Sequence, residues 1–196
     1  MTSPEPDAPL EGEERAAWLA IALIPGIGWA RMQTLIQSFG SPSGALAAPL
    51  AFLEALPALK GIAALVHRAR MDAGYRVQDD VVRIGATLLL PGDEQFPGSL
   101  LTVHSPPVLL FAIGKLELLE RPAVAIVGSR DHTRYGAEVC EALAAGAAAA
   151  GIVVVSGMAR GLDAVAHNAA LVAGGASIGV LGCGLGVVYP LSLIHI

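Results

Sequence analysis

Between residues 124 and 181 the chain alternates short β-branched apolar runs with alanine-rich stretches long enough to be helices. Residues 124–127, 152–155 and 177–181 are the strand candidates, and residues 135–150 and 162–173 are the helices between them. Runs with no polar alternation suit strands buried on both faces, and a helix between successive strands is the crossover that parallel pairing needs. The pattern β-α-β-α-β predicts an α/β fold, a Rossmann-like doubly wound parallel sheet. Residues 87–90 and 108–113 have the same character and are expected to add parallel strands to it.

Upstream the apolar period is helical. Trp18, Leu19, Ile21 and Ala22, then Met32, Leu35, Ile36 and Phe39, mark a small all-helical module over 13–84, its last stretch, 62–84, ending at Gly85. Its first turn, Pro25-Gly26-Ile27-Gly28, is echoed at Leu56-Pro57-Ala58-Leu59-Lys60-Gly61. Such turns resemble those of SAM or helix-hairpin-helix modules, which makes Gly26, Gly28 and Lys60 candidates for a secondary phosphate contact; a plain helix–helix turn is the alternative. Residues 1–12 are expected as an acidic, flexible tail, 85–190 as the Rossmann-like domain, and 191–196 as a candidate non-native tail.

Charge excludes a broad nucleic-acid-binding coat. Twelve basic against seventeen acidic residues give −5, and five of the acids precede Arg15. A nearly neutral body must meet a polyanion with a few placed cations, and ten of the twelve are arginine, whose fork suits phosphate. From Ala164 to Ile196 there is no Asp, Glu, Lys or Arg, yet seven glycine or proline breaks make a buried strand a better reading than a membrane span. Two distant cysteines form neither a zinc set nor a disulfide framework; Cys183 is expected as a small core residue at a strand end. No metal, no cofactor, no membrane and a cytoplasmic location are expected.

In open α/β sheets ligands sit beyond the carboxyl ends of the strands. Two loops leave strands there: Gly128-Ser129-Arg130, and Ser156-Gly157-Met158-Ala159-Arg160-Gly161. Glycine permits close backbone approach, a helix N-terminus offers free N–H groups, and Ser and Arg add donors, so Gly128, Ser129, Arg130, Ser156, Gly157, Arg160 and Gly161 are the candidate phosphate-binding residues. Neither loop is a dinucleotide or P-loop fingerprint. Val154 stands where a nucleophile elbow needs glycine, so Ser156 is not read as a nucleophile. Asp163 and His167 share a helix face, but a carboxylate in a first turn and a histidine bonded to a neighbouring segment are better read as structural.

These residues resemble those of the DNA-processing protein A (DprA/Smf) family. The match runs through Ala125-Ile126-Val127-Gly128-Ser129-Arg130, Tyr135-Gly136, the stretch 154–163, Ala166-His167 and Tyr189-Pro190, with Phe96-Pro97 and Pro106-Pro107 upstream. The resemblance implies a cytosolic, homodimeric single-stranded-DNA-binding recombination mediator that assists a RecA-type recombinase in natural transformation, with no catalysed reaction. Gly186 and Ser105 depart from the family pattern. The sequence after Pro190 departs further, so the family's dimerisation and recombinase-contact regions are expected to be missing and the homodimer to be in doubt. The rival class is a Rossmann-like enzyme of the phosphoribohydrolase type, of which Gly174-Gly175 is an incomplete echo.

Overall fold

A computed structural model of the chain describes residues 9–187, and it divides into two compact units, Met1–Gly114 and Lys115–Ile196. The first unit is built on α1 (Gly12–Ala22), whose residues Ala16 to Ile21 are all buried. Around it lie α2 (Trp29–Phe39), α3 (Pro42–Ala47), α4 (Leu50–Glu54), α5 (Ala63–Arg68) and α6 (Met71–Arg83). The helix α6 crosses α1 at backbone contact, since a Cβ on Gly74 would sit 1.9 Å from the Ala16 carbonyl oxygen. Leu19, Ile21, Met32, Leu35, Leu53, Leu59 and Val66 fill the centre. Glu14, read from sequence as part of an acidic start, accepts from the Ser43 backbone N–H at 3.0 Å and from the Ser43 hydroxyl, which anchors the first turn of α3. The expected continuous helix over 62–84 breaks at Ala69, which leaves helical geometry with ψ near 146°.

The strands β1 (Thr87–Leu89) and β2 (Leu110–Ala112) correct the sequence reading, because they pair antiparallel with each other, Leu88 opposite Phe111, in a sheet of their own. Short apolar runs carry no information on direction, and the segment between these two holds only the single turn α7 (Gly98–Leu101), too little for a parallel crossover. This pair belongs with the helices. Arg15 reaches Asp93 with two 2.9 Å contacts and the Leu88 carbonyl at 2.7 Å, and the Trp18 indole donates to the Val108 carbonyl at 2.8 Å. Composition changes after Ile84, but these bonds carry the first unit to Gly114.

The second unit is the parallel sheet. β3 (Ala123–Ala125), β4 (Val153–Ser156) and β5 (Ser177–Gly179) lie in the order 3-4-5, with Val124 beside Val154 and Val154 beside Ser177. The crossovers are α8 (Arg134–Ala149) and α9 (Leu162–Val172), each within a residue or so of its sequence-based span. Both pack on the same side of β4, where Cys140, Ala144, Ala148, Ala166, Ala169 and Ala170 close over Val154. Alanine at this seam lets the two helices approach each other closely. The architecture is Rossmann-like α/β, and among the described residues its helices cover one face of the sheet.

Candidate functional site

The two glycine loops interlock at the carboxyl ends of β3 and β4. Leu162 N–H donates to the Ser129 carbonyl at 3.1 Å. Gly161 has φ +90°, and a Cβ there would lie 2.3 Å from the Ser129 oxygen and 2.6 Å from Arg130 Cα. A Cβ on Gly128 would strike the Leu162 side chain at 2.4 Å. Both glycines therefore serve loop-against-loop packing, a contact between two segments that sequence spacing alone does not reveal. The result is that Gly128, Ser129, Arg130 and Gly161 are brought together. Arg130 and Arg160 are both exposed, and neither makes a hydrogen bond or ion pair among the described residues.

The serines are more committed. Ser156, 2% exposed, donates its hydroxyl to the Ile126 carbonyl at 2.6 Å and so ties β4 to the end of β3. Ser129 Oγ donates to the Asp131 carbonyl at 2.8 Å and accepts from the Asp131 N–H, which shapes the turn before Thr133 caps α8. Gly157 faces Asp163, whose Oδ2 a Cβ there would approach to 2.7 Å. The buried Asp163 carboxylate accepts from Ala159 N–H at 3.3 Å, bracing the second loop from inside. Among the described residues Met158 is the non-glycine residue at positive φ, +53°, and its side chain lies against Gly179 at the end of β5.

His167 is fully buried, its Nδ1 2.6 Å from Ser177 Oγ. Ser177 has one hydroxyl proton and gives it to the Val154 carbonyl at 2.9 Å, so Nδ1 must be the donor and Nε2 carries the lone pair. Burial holds the His167 pKa below its ordinary value, with Asp163 acting weakly the other way. The histidine pins α9 to β4 and β5; it is not bonded to Asp163, and no acid/base couple forms. Cys140 donates to the Leu162 carbonyl at 3.4 Å, its thiol pKa raised by burial and then by Asp163. Cys183 overturns the expectation of a core residue: it is exposed, because β5 already ends at Gly179. Gly174-Gly175 form the turn between α9 and β5, at the opposite end of the strands from Gly128. Tyr189, Pro190 and residues 191–196 lie outside the described residues.

Gly26, Gly28 and Lys60 lie in the other unit. Arg31, which sequence reasoning passed over, donates from Nε to the Ala58 carbonyl and from its terminal nitrogen to the Gly26 carbonyl, both at 2.7 Å. It joins the two similar turns, beside which Lys60 is exposed. Its only sequence signal is its place three residues after Gly28. Among the described residues no group of three or more His, Cys, Asp or Glu could hold a metal, and no helix is long and apolar enough to cross a membrane.

Parallel strands joined by packed crossover helices, with interlocked loops and unpaired arginines at the strand ends, define a Rossmann-like α/β protein. Residues 87–195 match the family model described as DNA recombination-mediator protein A, and the chain belongs to that family, the DprA/Smf proteins. It is 46% identical over 98 residues to DNA processing protein DprA of Streptococcus pneumoniae, covering 50% of this chain and 34% of the relative. It is 30% identical over 187 residues to Protein Smf of Synechocystis, covering 92% of this chain and 47% of the relative. The X-ray structure of DprA from Streptococcus pneumoniae superposes with a TM-score of 0.66 at 27% identity, over 94% of this chain and 62% of that one. The chain thus spans about a third to a half of the length of these two curated relatives.

Proposed function

We propose that this chain binds single-stranded DNA across the ends of β3 and β4, as part of a cytoplasmic recombination mediator that assists a RecA-type recombinase during DNA uptake. The observation that carries the reading is the pair of exposed arginines, Arg130 and Arg160, on loops locked together by the Leu162–Ser129 bond. Two guanidiniums on one rigid platform can meet successive phosphates of a strand. Binding is favoured over turnover: the Ser156 hydroxyl is spent on a carbonyl and the Asp163 carboxylate on a backbone N–H. Membership of the recombination-mediator family supports the same ligand class. Homodimerisation and recombinase contact are part of this proposal for the whole protein, and Gly26, Gly28 and Lys60 remain its secondary phosphate contact.

Fluorescence anisotropy with a labelled single strand tests it. Arg130→Ala and Arg160→Ala should each weaken binding and flatten the slope of log K against log salt by about 0.7. Arg68→Ala and Arg70→Ala, both exposed at the end of α5 and beyond it, are the charge-matched controls. Equal losses in the controls, or tighter binding to duplex, would refute the assignment.

A further inference from the structure

Proteins that hold single strands usually combine a cationic track with aromatic faces on which bases stack. Aromatic residues are 5% of this chain, and in the unit that carries the strand-end loops Tyr135 is the one aromatic residue among the described residues. It stands in the first turn of α8, directly after the loop of Arg130, and is 75% exposed. The face of α8 that packs on α9 and β4 is Cys140, Ala144 and Ala148. At 100° per residue Tyr135 projects almost opposite that face, with Val139 and Leu143 exposed at the next two turns. Helical side chains tilt toward the N-terminus, which leans the ring toward the Arg130 loop. Arg134 beside it is held only by an exposed ion pair with Glu138 at 2.9 Å, worth little and readily exchanged for a phosphate. An uncovered ring one residue after Arg134 and five after Arg130 is placed where a base could stack while those arginines meet the phosphates on either side of it.

We infer that Tyr135 is a base-stacking residue for single-stranded DNA whose phosphates are held at Arg130 and Arg160; this rests on the proposed function. The hydroxyl has no part in it, since stacking uses the ring face. Tyr135→Ala should weaken binding of a short labelled oligo-dT about 5- to 150-fold. The salt slope should stay unchanged, because no phosphate contact is lost. Tyr135→Phe and Tyr135→Trp should retain affinity, and the new tryptophan should be quenched as the strand binds. With an abasic oligonucleotide of the same length, Tyr135→Ala and the parent chain should bind alike. Circular dichroism checks that the variants fold, and the Trp variant reports stacking without truncating the ring.

If Tyr135→Ala binds oligo-dT as tightly as the parent while Arg130→Ala and Arg160→Ala lose binding, the inference falls and the proposed function stands. An equal loss on the abasic strand also overturns it, since that loss has no base to explain it. Unchanged affinity together with loss of self-association would assign the Tyr135, Val139 and Leu143 stripe to a protein contact instead. If the parent chain binds no oligo-dT, both the inference and the proposed function fall.

Discussion

Gly161→Ala is the most direct probe of how the two loops are joined. The added methyl would lie 2.3 Å from the Ser129 carbonyl oxygen and 2.6 Å from both Cα and the carbonyl oxygen of Arg130. All three are backbone atoms, so no side chain can swing aside and the loops must part. The residue also holds φ +90° and ψ −136°, a region a residue with a Cβ enters at a cost of about 1–3 kcal/mol. Overpacking adds about 1–3 kcal/mol, for a total of about 2–6 kcal/mol against the 5–15 kcal/mol or so of a typical domain. The same substitution at Gly146 in α8, where a Cβ meets nothing within 4 Å, should stabilise by about 0.5–1 kcal/mol. Urea unfolding followed by far-UV circular dichroism measures both, and anisotropy under native conditions should show Gly161→Ala weakening strand binding by separating Arg130 from Arg160. Stability within about 0.5 kcal/mol of the parent for Gly161→Ala would refute the packing argument.

Two further outcomes follow from the buried groups. The His167 pKa is lowered on folding from 6.5, so its contribution to stability is fully present above about that pH and declines as pH falls toward the folded value, where the unfolded chain takes up the proton first; urea midpoints measured across this range should lose that part of their slope in His167→Gln, and an unchanged slope would refute it. Cys183 is exposed while Cys140 is buried with a raised pKa, so a thiol-exchange reagent should label Cys183 at once and Cys140 only on unfolding; equal rates in the native protein would refute the placement.

The amino-acid sequence by itself determined the α/β pattern, the spans of α8 and α9, and the identity of the two strand-end loops. These are local properties: apolar period, glycine punctuation and alanine content act over a few residues and need no distant partner. What only the tertiary structure decided involves residues far apart in the chain. The antiparallel pairing of β1 with β2, and their attachment to the helices through Arg15–Asp93 and Trp18–Val108, depend on contacts separated by 78 and 90 residues. The glycines of the site were legible as glycines, but whether they face a ligand or one another depended on how closely β3 and β4 bring their loops. The same holds for the hydroxyls: Ser129 and Ser156 carry the right donors in sequence, yet the fold turns the first onto its own loop and buries the second on Ile126. Exposure is likewise a tertiary outcome, which is why Cys183 lies outside the core and why Tyr135, one aromatic among several in the sequence, is distinguished only once Cys140, Ala144 and Ala148 on the opposite face of α8 are seen to face inward.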